Sequence, residues 1–348
     1  MLSIVNPLVL RAPMTPNNHP KSHHFEPPMP LQTAVLFLVF NRPDATAQVF
    51  AAIRKAKVPR LYVAADGPRS NRPDDAEKVA KVRKIVTAVD WSCEVKTLFR
   101  AENLGCKYAV SRGITWFFEQ EEQGIILEDD CLPSQSFFWF CDQILERYKN
   151  EERIMSIAGT NIFESTLINK KTNESYLFSN YALMWGWATW RRAWNKYDLE
   201  LSSWPSYKKN NLPTKKPRLT FIERLTWKRI LDKTYDGIID TWDYQWIYSC
   251  WTGGGLTILP GVNLVRNIGF SDDATHTKKS YPILSNLVEQ EMSLSLRHPN
   301  QYRANQLADQ FISRYWFGAS WYNYFKSLFL LTPGLRQLNS LIKKLKAK

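Results

Sequence analysis

The chain has 348 residues, 44% of them hydrophobic, which suffices for one large domain or two unequal lobes around a sizeable core. Its 46 basic and 33 acidic residues leave a net charge of +13, favouring an anionic ligand, an anionic membrane surface or nucleic acid without choosing among them. A bilayer-spanning or secreted protein is not expected, because no run nears the roughly twenty apolar residues of a span and no signal-peptide order opens the chain; the five cysteines, with no CxxC pair and no metal-finger spacing, read as reduced thiols of a cytoplasmic protein.

Residues 1–31 are rich in Pro, Asn and His, show no sustained periodicity and read as a mobile leader. From Ala34 onward short apolar runs alternate with amphipathic stretches. Residues 34–40 form a continuous apolar segment fit for a strand buried on both faces, broken by Asn41-Arg42-Pro43. Asp44 is placed to cap a helix with Ala45, Val49, Ala52 and Ile53 on one face; residues 61–65 read as the next strand, ended by Asp66-Gly67-Pro68. An amphipathic helix through Val79, Val82, Ile85, Val86 and Val89 follows, then a strand at 93–99, a helix at 108–118 and a strand at 124–127. This βα rhythm predicts an α/β fold with a mostly parallel central sheet flanked by helices. Ligands bind such sheets beyond the carboxyl ends of the strands, where Asn41, Arg42, Asp66 and the triplet Glu128-Asp129-Asp130 all fall.

A helix at 137–149 and a strand at 154–158 come next, after which the regular alternation ends. The fourteen tryptophans crowd between Trp185 and Trp251, a composition that serves buried core more often than sugar stacking. Residues 205–218, with three prolines among lysines and asparagines, suit a lid or insertion. Residues 311–348 mix aromatic rings with Lys and Arg, which fits a packed helical extension, an oligomer contact or the membrane interface equally well.

Three successive carboxylates at the end of a buried strand repel one another and resist desolvation, so the triplet calls for a cation. A divalent metal carrying a phosphorylated ligand is the leading candidate, since Mg²⁺ and Mn²⁺ often take only one or two carboxylates and leave their other positions to phosphate and water. Asp66, on a neighbouring strand end, is placed to accept a hydrogen bond from a base or ribose.

The segments Val35-Leu36-Phe37-Leu38-Val39-Phe40-Asn41-Arg42-Pro43, Ala64-Ala65-Asp66-Gly67, Arg100-Ala101-Glu102-Asn103-Leu104-Gly105, Ile126-Leu127-Glu128-Asp129-Asp130 and Trp185-Gly186-Trp187-Ala188-Thr189-Trp190 together resemble the GT-A glycosyltransferases. Within these the likeness is to the inverting N-acetylglucosaminyltransferase I type and bacterial relatives filed with family 2, over about residues 34–277. The resemblance implies a GT-A catalytic domain at 32–280, with a nucleotide-binding half at 32–160 and an acceptor half at 161–280, followed by a helical, basic-aromatic extension at 281–348. It casts Asp130 as the ligand of Mn²⁺ or Mg²⁺, Glu128 and Asp129 as groups near ribose and metal-bound water, Asp66 as acceptor for uracil, and Asn41 and Arg42 as neighbours of the nucleotide. His276 stands where many such enzymes place a late metal or phosphate ligand, and Arg266 resembles a residue near the donor phosphates.

An inverting transfer also needs a base for the acceptor hydroxyl. Asp243, in Asp240-Thr241-Trp242-Asp243-Tyr244-Gln245-Trp246, resembles the family's Trp-Asp-Asp-Trp acid, with Tyr244 replacing the second carboxylate. That departure keeps Asp240 in contention, and a carboxylate that merely opens a helix explains either residue. The expected activity is sugar transfer from a UDP-sugar to a glycan or lipid-linked acceptor, in the cytoplasm or peripherally at the inner face of the membrane, with no nucleic acid partner. A sugar-phosphate nucleotidyltransferase is the nearest alternative, but its Gly-rich loop after the first strand is missing here. A non-enzymatic module binding anionic lipid or nucleic acid leaves the acidic triplet unexplained.

Overall fold

A computed structural model describes residues 25–163, 174–209, 219–269, 284 and 286–325. The apolar run after Ala34 forms β1 (Val35–Val39), buried at every position. Val35, Phe37 and Val39 enter one core while Leu36 and Leu38 enter another, which is why the run shows no polar alternation. Helix α1 (Pro43–Ala56) starts with Pro43 in its first turn and Arg42 at the N-cap; Asp44 lies one residue inside the helix instead of capping it. Proline at that position has no N–H to waste, and an acid in the first turn complements the helix dipole.

β2 (Arg60–Ala65), α2 (Asp75–Val86), β3 (Glu94–Phe99), α3 (Gly105–Phe118) and β4 (Gln123–Glu128) complete the parallel half. β1 sits between β2 and β4 and runs parallel to both, with Leu38 level with Ala64 and with Glu128. The polar ends of three strands therefore emerge side by side. Helix α3 begins three residues before the periodicity suggests, because Gly105 at φ +76° supplies a left-handed turn before its first apolar contact.

After β5 (Cys131–Pro133) and α4 (Gln135–Arg147), the sheet continues with β6 (Ile154–Ala158), β7 (Tyr176–Ser179) and β8 (Trp187–Trp190). Helices α5 (Phe221–Tyr235) and α6 (Asp243–Thr252), strands β9 (Leu256–Pro260) and β10 (Val265–Asn267), and helix α7 (Gln306–Tyr315) follow. The eight-stranded order is β3-β2-β1-β4-β8-β6-β9-β7, with β5 and β10 forming a separate antiparallel ribbon. β8 runs antiparallel to β4 and β6, and β7 antiparallel to β9, so six strands share one direction and two oppose it.

The tryptophans make the second core. Trp187, Trp204, Trp227 and Trp246 are fully buried there, and Trp187 stacks on Trp242 at 5.7 Å between ring centres; Trp190, also fully buried, lies in the core of Val35 and Phe37. Trp185 keeps some exposure and meets Trp316 at 4.5 Å. Gly255 approaches Met155 so closely that a Cβ would lie 2.5 Å from Met155 Cγ, so this glycine serves packing. Within the stretch 205–218, the part up to Lys209 is helical (Trp204–Lys209), with Lys208 paired to Asp232 at 2.6 Å; positions 210–218 lie outside the described residues, as does the tail from 326.

Residues on both flanks are tied into this frame. Trp139 Nε1 donates to Met29 O at 2.7 Å, and Leu31 is buried. Glu291 accepts from the backbone N–H groups of Gln135 (2.9 Å) and Ser136 (2.7 Å), capping α4 where Ser134 makes no side-chain cap bond. Asn305 donates its N–H to Phe178 O at 2.7 Å and its side chain caps α7. Among the described residues no helix is long and apolar enough to cross a membrane.

Candidate functional site

The parallel half delivers the candidate residues to one edge. Glu128 ends β4, and Asp129 and Asp130 occupy the turn into β5. Asp129, 6% exposed, accepts from Phe40 N at 3.1 Å, which binds it to the end of β1. Arg42 enters from the start of α1: its Nη1 lies 3.3 Å from Asp129 Oδ1 and 2.5 Å from Asp130 Oδ2. The cation that the triplet demands is thus supplied, in this conformation, by the chain itself. One guanidinium faces three carboxylates, so the charge is only partly met. Burial, then Asp130 and Asp129, raise Glu128 well above the usual carboxylate range; burial and Asp130 raise Asp129 in the same way, against the pull of Arg42.

Asp130 is backed by the β5–β10 ribbon. Its carbonyl accepts from Ile268 N at 2.8 Å, and Asn267 Nδ2 lies 3.4 Å from Asp130 Oδ1. Gly269 leaves no room on that side: a Cβ there would overlap the Asp130 carboxylate and sit 2.9 Å from Asp130 Cβ. Two carboxylates that already share one cationic nitrogen can share a divalent ion, and hard oxygen donors suit Mg²⁺ or Mn²⁺. Among the described residues no group of three or more His, Cys, Asp or Glu is disposed to hold a metal alone. Asp129 and Asp130 supply oxygen donors of the kind such an ion takes. His276 lies outside the described residues.

Asp66 is buried at the end of β2 and is heavily engaged. It accepts from Gly67 N (3.0 Å), Leu104 N (3.0 Å), Gly105 N (3.2 Å) and Asn103 Nδ2 (2.9 Å). These bonds clamp the turn into α3, while burial raises the Asp66 pKa against them. Gly67 makes the approach possible, since a Cβ would lie 2.5 Å from Glu102 O. Asn41 turns to Asp75, donating at 2.8 Å. Asp75 is also gripped by Arg69 through Nε (2.6 Å) and Nη2 (2.9 Å), and these bonds hold its pKa down to about 2 despite burial. Asn41 and Asp66 thus brace the loops around the strand ends.

Asp240 and Asp243 reach the same edge from the far side of the chain. A Cβ on Gly105 would lie 3.7 Å from Asp240 Oδ2. Asp243, in the first turn of α6, accepts from Thr241 Oγ1 at 2.5 Å and from Tyr244 N at 2.8 Å. The thiol of Cys106, in the first turn of α3, is raised by burial and then by Glu128, Asp243, Asp240 and Asp66, so all four carboxylates surround the start of this helix. Asp243 also helps to raise Glu128. Arg266 stands apart, its Nε 2.9 Å from Glu289 Oε2. Sequence reasoning missed the parts played by Cys106, Asn103 and Gly269; the signals for the last two were the segments 100–105 and 265–270, which share in the resemblance.

No known protein family matches the chain, and no curated protein matches it. Solved structures give partial likenesses. A UDP-glucose pyrophosphorylase complexed with UDP-glucose aligns at 10% identity over 44% of this chain and 64% of its own, with a TM-score of 0.24. The mannosyltransferase PcManGT from Pyrobaculum calidifontis, in complex with GDP-Man and Mn²⁺, aligns at 8% identity over 63% of this chain and 68% of its own, with a TM-score of 0.34. An apo UDP-glucose pyrophosphorylase aligns at 7% identity over 66% of this chain and 89% of its own, with a TM-score of 0.33. The chain spans less than two thirds of the first of these, and likeness at this level carries neither an activity nor a substrate with it.

Proposed function

We propose that this protein is a metal-dependent glycosyltransferase of the GT-A type, moving a sugar from a UDP-sugar to a hydroxyl of a glycan or lipid-linked acceptor with inversion, in the cytoplasm. The observation that carries this reading is the gathering of Asp66, Glu128, Asp129, Asp130, Asp240 and Asp243 at one edge of a parallel sheet, with Asp66, Glu128, Asp240 and Asp243 near the start of α3 and Asp129 and Asp130 beside the end of β1. A sheet edge of this kind is where α/β proteins hold nucleotides. The Asn41-Arg42-Pro43 turn after β1, in place of a Gly-rich phosphate loop, argues for transfer over nucleotidyl exchange.

In this reading Asp130, with Asp129, would hold Mn²⁺ or Mg²⁺, which when bound neutralises charge on the departing diphosphate. Asp66 is a positioning residue: it orders the Asn103-Leu104-Gly105 turn beside the base. Asp243 accepts the proton of the attacking hydroxyl. Thr241 and the Tyr244 N–H fix one of its oxygens, Oδ1. Arg266 and His276 belong to the phosphate side in the family pattern; the pairing of Arg266 with Glu289 requires that ion pair to open first.

Thermal denaturation with UDP, with Mn²⁺ and with both tests the reading. A ligand that binds the native state raises the midpoint, so the pair together should shift it by more than the sum of the separate shifts, and Asp130→Ala should abolish the excess. Additive or absent shifts, accompanied by tight salt-sensitive binding to DNA, would favour the binding-module alternative instead.

A further inference from the structure

Arg42 places one guanidinium nitrogen between two carboxylates, 3.3 Å from Asp129 and 2.5 Å from Asp130. A divalent cation bridging the same two carboxylates needs the same space. Two positive charges at contact distance repel strongly, so guanidinium and metal exclude one another there. We propose that Arg42 is an internal counter-ion that keeps divalent metal out of the acidic turn until a diphosphate draws the guanidinium away, making metal entry conditional on the donor. The inference rests on the nucleotide-diphosphate reading above and adds to it the order in which the site is assembled.

The geometry permits such an exchange without unfolding. Arg42 O accepts from Thr46 N at 2.9 Å and from Thr46 Oγ1 at 2.7 Å, so the backbone is fixed by the first turn of α1 and only the side chain has to move. That side chain is 27% exposed, leaving it a way out. A guanidinium fork accepts a phosphate as readily as a carboxylate, often through two parallel bonds. Asp129 keeps its orientation when Arg42 leaves, because Phe40 N still donates to it at 3.1 Å. Asp130 keeps only long contacts on its other oxygen, with Asn267 Nδ2 at 3.4 Å and Cys131 Sγ at 3.6 Å. Its Oδ2, freed of Arg42, would then be presented to the ion.

Arg42 keeps an anionic partner in both states. Without ligand the carboxylates hold Arg42; with ligand Asp129 and Asp130 would hold the metal and Arg42 would hold the diphosphate. Neither state buries an unpaired guanidinium, which would cost several kcal/mol. Part of the UDP and metal synergy expected for the site would then reside in this residue, in addition to the part that comes from phosphate completing the metal's shell.

Mn²⁺ titrations of the full chain near neutral pH, with and without UDP, test this in wild type, Arg42→Met and Arg42→Lys. Wild type should bind Mn²⁺ weakly alone and about tenfold or more tightly once UDP is present. Arg42→Met should bind Mn²⁺ alone about tenfold more tightly than wild type, with the UDP enhancement reduced by a similar factor, whereas Arg42→Lys, keeping the charge, should stay near wild type. If Arg42→Met does not give a folded circular dichroism spectrum, Arg42→Gln carries the same expectation. Wild-type synergy that survives unchanged in the neutral variants, with no gain in Mn²⁺ affinity alone, would overturn the exchange and leave the transferase reading standing. A wild type that binds no Mn²⁺ even with UDP would overturn that reading, and the exchange with it.

Discussion

Asp243 and Asp240 lie three positions apart in one loop, yet their surroundings differ. Asp240 is exposed, while Asp243 is half-buried, bonded by Thr241 and close enough to Glu128 to shift it. Loss of a general base costs about 10²–10⁴ in rate. Asp243→Asn should therefore lower kcat by at least about a hundredfold while keeping the UDP and Mn²⁺ stabilisation, and Asp240→Asn should cost less than about tenfold. Steady-state transfer assays decide between them, and the reverse ranking would move the base to Asp240. Gly269→Ala acts on Asp130 from behind: the added methyl displaces the carboxylate, so the synergistic thermal shift should shrink while ligand-free stability changes by only about 1 kcal/mol. The acidic triplet was legible because its residues are consecutive and follow an apolar run. Its counter-ion was not, since Arg42 lies 87 residues from Asp129 in sequence and only the parallel pairing of β1 with β4 brings them together.

At the scale of elements, the β2 end and the turn into α3 are held by backbone contact as well as by Asp66. Gly67→Ala would press a Cβ into the Glu102 backbone, which cannot yield as a side chain can, and should cost about 1–3 kcal/mol in a denaturant titration. Helix α7 docks differently, through Asp309. That carboxylate accepts from Ser179 Oγ (2.6 Å), Asn180 Nδ2 (2.6 Å) and Asn180 N (3.1 Å), yet burial, outweighing these bonds and aided by the nearby Glu223 charge, raises it to about 6. The folded state then binds more protons than the unfolded state between about pH 4 and the folded pKa. Its stabilising contribution is present below about pH 4 and is lost as pH rises through about 6. The stability advantage of wild type over Asp309→Asn should accordingly fall by on the order of 2 kcal/mol from pH 4 to pH 7, a trend read from paired melting curves; a flat difference would mean that Asp309 titrates normally. β1, β2 and β4 announced themselves by apolar runs between amphipathic helices, and β3, with no buried position, by its place in the βα alternation. β6 was legible too, at 154–158, but β7 and β8 were not, because they have four residues each and reverse direction within the sheet.

Across the whole molecule, the described parts of both flanks, residues 25–31 and 286–325, are bonded to or packed on the sheet domain. Glu291 caps α4 from 155 residues away, Asn305 bonds to β7, and Ala308 and Ile312 enter the same core as Trp187 and Trp246. Composition could not reveal this, because a basic-aromatic segment reads alike whether its rings face lipid or a neighbouring helix. The cap that the exposed Glu291 gives α4 is worth about 0.5–2 kcal/mol, the Asn305 cap about 1 kcal/mol, and burial of Ile312 about 2 kcal/mol. Together these approach the lower end of the total stability of an ordinary domain, about 5–15 kcal/mol. The full chain should therefore unfold in one calorimetric transition, and a chain ending at residue 283 should lose that transition or show it at a much lower temperature. A truncated chain that melts like the full one, or a full chain with two separate transitions, would mean that the extension is an independent unit and that its contacts with α4 and β7 contribute little.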